Sequence, residues 1–146
     1  MLGSMMFISK LITELLPNIH LLGMFTVLFT VVFRYKALIP IYVFVCLTGL
    51  YAGFATWWIP YWYLWAVLWG MTRLIPRNLP HMWQYVVYPI VCGLHGFAYG
   101  TLYAPSQVLL FGLPWDIAHG IGNIAAGLLV TPLIPLLRKL LQTAHK

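Results

Sequence analysis

The chain has almost no acid: Glu14 and Asp116 are its only side-chain carboxylates in 146 residues, and charged residues of both signs make up 7% of it. A soluble domain carries about 25% charged residues, so there is too little charge here to cover a water-facing surface. Two carboxylates are also too few for a proton pump or a carboxylate-rich metal site. Cysteine is scarce as well. Cys46 and Cys92 lie deep in apolar runs with no CxxC or metal-finger spacing, which reads as small packing residues and implies nothing about redox. HExxH, GxSxG and a phosphate-binding glycine loop are all missing, so neither an enzyme nor a cofactor is expected. Nor does a cleavable leader stand out, because Lys10 interrupts the first apolar stretch and no A-x-A site follows.

What is present in excess is apolar: 62% of the residues are hydrophobic and 16% are aromatic. Helices that are apolar all round suit lipid, where each helix closes its own backbone hydrogen bonds. Breakers and charges divide the chain into six such segments: Met1 to Leu16, Ile19 to Phe33, Ala37 to Phe54, Pro60 to Ile75, His81 to Tyr103 and Pro114 to Leu141. Six helices of about 20 residues would use about 120 residues. The expectation is therefore an all-α integral membrane protein, a single domain over 1–146 built as a bundle of six short transmembrane helices. Several segments are shorter than a full span, which local thinning or interfacial anchoring must cover.

The net charge of +6 comes in small groups between segments and makes no continuous stripe for nucleic acid. In a six-span arrangement, seven of the eight Lys and Arg residues fall on one side. By the positive-inside rule that side is cytoplasmic, and both termini lie there. Glu14, Asp116, Trp57-Trp58 and Pro114-Trp115 then lie toward the outer face. In the fifth segment Cys92, Gly96, Gly100 and Ala104 repeat at four-residue spacing, as do Ala118, Gly122 and Ala126 in the sixth. Small residues at that spacing let helices approach closely in lipid, so these two segments are expected to pack most tightly.

Polar side chains inside such segments are costly, which makes them the first candidates for function. At 100° per residue Asp116, His119 and Asn123 share a narrow arc, about a third of a turn from the Ala118 to Ala126 face, so polar and packing faces are expected to be separate. Tyr88, Cys92, His95, Tyr99 and Tyr103 form a second face. Trp57 to Trp65 is dense in aromatic rings, and Tyr61 and Trp65 share a face running inward, suited to stacking a flat organic ligand. Asn18 and His20 add polar groups at the first outer corner. Each feature also has a plainer reading. Asp116 can stabilise a helix amino terminus, His95 can bond across helices, the aromatics can form an interfacial belt and Asn18 can cap a helix.

Taken together, Leu16-Pro17-Asn18-Ile19-His20-Leu21, the Lys36 to Phe44 stretch, Gly53 to Tyr61 with Tyr63-Leu64-Trp65, and Gly112 to Gly120 with Asn123 resemble the S components of energy-coupling factor (ECF) transporters, small membrane subunits that capture vitamins and related micronutrients. The resemblance implies six helices with cytoplasmic ends and a pocket near the outer face. By position it points to Asn18, His20, Trp58, Tyr61, Trp65, His95, Asp116, His119 and Asn123 as substrate-binding residues. It implies as partners a small organic substrate, the lipid bilayer, a transmembrane T component and two ATPase subunits, in a bacterial cell membrane. Where the family's first helix carries alanines at four-residue spacing, Met1 to Lys10 carries Gly3, Ser4 and Ser9.

The function expected is substrate binding for an ECF-type uptake transporter. The alternatives are a structural or assembly subunit whose polar groups serve only as interhelical glue, and a metal-ion carrier built on His95, Asp116 and His119.

Overall fold

The computed structural model describes residues 1–14, 21–103 and 113–144, with 113–115 described by their backbone alone. Every regular element among them is helical: α1 (Leu2–Thr13), α2 (Leu22–Phe33), α3 (Leu38–Ala52), α4 (Tyr61–Arg73), α5 (His81–Tyr103), α6 (Leu113–Gly127) and α7 (Val130–Ala144), with short 3-10 turns at Arg34–Ala37 and Thr56–Trp58. The six expected segments correspond to these elements in order. The sixth differs, because it is a pair bent by 50° between α6 and α7. Pro132 explains the bend: it has no N–H to give the carbonyl of Leu128, so the helical ladder breaks at Leu128-Leu129.

Local chemistry sets the other boundaries. Gly53 closes α3 at φ 87°, a conformation that costs glycine little. Pro60 and Pro80 precede α4 and α5, and their carbonyls accept the first-turn amides of Leu64 and Gln84. Arg34 has φ 57° and the chain turns back there. Leu68 of α4 reaches Gly23 near the start of α2, whereas the neighbouring Trp69 bonds the Arg34 carbonyl at 3.0 Å and Trp62 stacks on Tyr42 of α3. A straight helix through Arg34 would carry Gly23 about 16 Å past that level.

α2 is central. From Leu22 to Thr30 only Phe25 is not fully buried, and Phe29, Val27, Phe44, Ile41, Leu68 and Met6 are fully enclosed around it. The surrounding helices turn large apolar side chains outward, among them Ile12, Ile39, Leu50, Val67, Leu94 and Ile121. Three buried hydroxyls are satisfied within their own helices: Thr30, Thr48 and Thr72 donate to the carbonyls four residues back at 2.6, 2.9 and 2.8 Å. Among the described residues, one helical run, Leu22–Ala52, is long and apolar enough by length and composition to cross a membrane, although it folds back at Arg34 into α2 and α3, and counting the bent pair as one span makes two. Cys92 is buried as expected, but Cys46 is exposed on the apolar outer face of α3, so it packs nothing.

Candidate functional site

The site is built on the tight crossing of α5 and α6. The two run antiparallel: Gly93 faces Ile124, Gly96 faces Asn123 and Gly120, Gly100 faces Asp116, and Gly127 faces Pro89 and Cys92. A methyl group added at Gly96 would lie 2.7 Å from the Asn123 Nδ2 and 2.8 Å from the His119 carbonyl, closer than carbon can approach. This is the close packing expected from the glycine spacing of α5. The α6 side corrects the sequence reading. Asp116, Gly120, Asn123 and Gly127 meet α5, while of the alanine row Ala118 is exposed and Ala126 is buried, so the polar face is itself a packing face. The reason is that glycines on α5 leave notches that short polar side chains fill.

Each polar group of that face has a partner. Asp116 is buried and its Oδ1 accepts the Gly100 amide at 2.8 Å. Asn123 donates through Nδ2 to the His119 carbonyl at 2.9 Å. Asn123 also sits against α2, where a methyl group at Gly23 would come within 2.6 Å of its Oδ1. The His119 ring lies flat on Tyr99, with centroids 4.9 Å apart and planes 7° apart, and Tyr99 in turn stacks on Tyr103 at 5.9 Å and 10°. His95 is buried, with Nε2 3.0 Å from the Leu64 carbonyl of α4.

Trp65 stands where these elements meet. Its ring lies 5.9 Å from Phe44, 6.1 Å from Tyr61, 5.7 Å from His95 and 6.3 Å from Tyr99. The side chain is 4% exposed and its Nε1 is buried with no hydrogen-bond partner among the described residues. A buried donor left unsatisfied costs about 1–3 kcal/mol. Trp58, by contrast, is committed: its Nε1 donates to the Val45 carbonyl at 2.8 Å, and its ring packs edge-on against Phe54 and Trp62. Tyr103 closes that end of the cluster by donating to the Trp57 carbonyl at 2.9 Å.

Of the residues singled out from sequence, Tyr61, Trp65, His95 and His119 thus join one aromatic cluster through Tyr99. Asp116 and Asn123 border it along the α5–α6 seam, and Trp58 is turned to anchoring α3. Asn18 and His20 lie outside the described residues. No three His, Cys, Asp or Glu side chains converge among the described residues, so His95, Asp116 and His119 do not assemble a metal centre. Tyr99, the ring that links His95 to His119, was legible only as a member of the α5 face. Its partner on α6 depends on the helix register, which the facing glycines set.

No protein-family model matches the chain. No match is found among curated proteins or solved structures either.

Proposed function

We propose that this chain is a multi-pass membrane protein that serves as the substrate-binding subunit of an ECF-type uptake transporter, taking up a small, flat organic micronutrient such as a vitamin. Membrane residence is supported by the inverted distribution of apolar side chains, which cover the outward faces of the helices around α2. Exposed apolar surface on that scale marks contact with lipid or partners.

The observation that carries the binding reading is the unpartnered Nε1 of Trp65, held inside a cluster of Tyr61, His95 and Tyr99. Rings supply flat contact area, and a fixed donor among them selects a ligand that offers an acceptor. A carbonyl or ring nitrogen on a planar heterocycle meets both requirements. Tyr99 and His119 form a second flat wall of the same cluster. With the basic side cytoplasmic, the cluster lies toward the outer face. Uptake would then need an ATPase module from separate subunits, since this chain carries no phosphate-binding loop.

One set of contacts favours a second reading. Asp116, His95 and Asn123 all bond backbone groups, as they would in a structural subunit that binds no small molecule. The two readings separate on extraction of the detergent-purified protein and mass spectrometry of what is released. A stoichiometric organic heterocycle supports the binding subunit. An empty, well-folded protein that stays empty after incubation with a vitamin panel supports the structural one.

A further inference from the structure

A different feature lies at the opposite end of the bundle. Arg34, Arg77 and Arg138 line a cleft of about 300 Å³ with Tyr88. Arg77, Tyr88 and Arg138 continue into an adjoining cleft of about 420 Å³ that adds His81, Lys139 and Thr131. The cations come from three separate parts of the chain: the turn after α2, the loop after α4, and α7. The chain holds only two side-chain carboxylates, and both are committed elsewhere. Glu14 pairs with Lys10 at 3.4 Å, and Asp116 accepts the Gly100 amide. Among the described residues no acidic side chain neutralises this cluster, and cations gathered in a cleft raise each other's energy unless an anion joins them. Two donors within it have no partner among the described residues: the Arg34 Nε and the Thr131 Oγ1, on a side chain 1% exposed.

We infer that this cleft is a binding site for a phosphate group, of the kind carried by the headgroup of an anionic phospholipid. Three guanidiniums match phosphate oxygens by paired N–H donors, and the Thr131 hydroxyl supplies a donor at the cleft's inner wall. Val31, Ile75 and Ile134 make part of the lining apolar, which suits the glycerol and first methylenes of a lipid. Basic pockets between helices on the cytoplasmic side recognise such headgroups. The lipid source rests on the membrane residence proposed above; the phosphate site itself does not, and it is independent of the aromatic cluster.

The test uses the full chain in neutral detergent with three probes: phosphatidylglycerol, phosphatidylcholine and inorganic phosphate. Retention is read by native mass spectrometry and stabilisation by thermal shift. The expected result is selective retention of phosphatidylglycerol over phosphatidylcholine. In the double variant Arg77→Gln/Arg138→Gln that affinity falls by roughly 30-fold, about fivefold for each charge removed. Both arginines are exposed, so the variant keeps its fold. Thr131→Val, which removes the orphan hydroxyl without changing shape, weakens retention and does not lower the Tm of the lipid-free protein. Stabilisation by inorganic phosphate alone, lost in the same variants, supports the site with a soluble anion as its source. Equal retention of both lipids with no effect of phosphate, or undiminished binding by the double variant, overturns the inference. A negative result in the vitamin panel leaves this outcome unaffected.

Discussion

The imidazole of His119 on α6 lies flat against the phenol of Tyr99 on α5, their centroids 4.9 Å apart and their planes 7° apart. This pair forms beside Trp65 once the facing glycines have set the register of the α5–α6 seam. Offset-stacked rings contribute about 0.5–1.5 kcal/mol beyond the area they bury. His119→Phe keeps a flat ring and is expected to hold the Tm near that of the parent protein, whereas His119→Ala lowers it. If the stack is one wall of a ligand site, both changes reduce ligand-induced stabilisation. Thermal unfolding with and without ligand separates the two effects.

Gly96 is the tightest test of the seam. Because its missing side chain is occupied by Asn123 and the His119 carbonyl, Gly96→Val forces the helices apart and is expected to destabilise by about 1–3 kcal/mol or more. Gly70, with nothing within 4 Å of an added methyl group, is the control. Gly70→Ala in the interior of α4 is expected to stabilise slightly, because alanine is the better helix former. Comparable losses at both positions would contradict the packing described.

Membrane residence makes a separate prediction. Cys46 is exposed by the fold, on an apolar face of α3, and Cys92 is buried. In open membrane fragments lipid shields Cys46, so a charged maleimide labels it only after unfolding in strong detergent. A Leu74→Cys variant, at an 86% exposed position just beyond α4, labels readily in the same fragments. Labelling of Cys46 as fast as Leu74→Cys would mean that its face meets water.

The order and approximate extent of the helices were legible because proline, glycine and charge interrupt the apolar runs at Pro60, Arg73 to Pro80 and the Arg34 turn. The break within the sixth segment was not read, although Pro132 signals it: proline near a helix start is also ordinary, and only the bend distinguishes the cases. Glycine spacing in α5 correctly marked the tight crossing. The matching face of α6 was misassigned, because Ala118, Gly122 and Ala126 satisfy the same pattern as the residues used. What decided it was the fit of Asp116 and Asn123 into the notches at Gly100 and Gly96, a tertiary relationship. The basic cleft was legible as a charge bias but not as a site, since Arg34, Arg77 and Arg138 are far apart in sequence.

The most direct measurement of the central claim is a thermal-shift and tryptophan-fluorescence titration of the purified protein against water-soluble vitamins and nucleobases, run in parallel on Trp65→Phe. That substitution keeps an aromatic ring in place but removes the Nε1–H together with part of the indole, so without ligand the variant is expected to be somewhat less stable than the parent, and binding is compared where both proteins are folded. The account predicts that one planar compound stabilises the parent at micromolar concentration or below and binds Trp65→Phe roughly tenfold or more weakly, the loss of about one hydrogen bond in a buried site. A well-folded parent that responds to no compound, or a ligand held equally by both proteins, would contradict it.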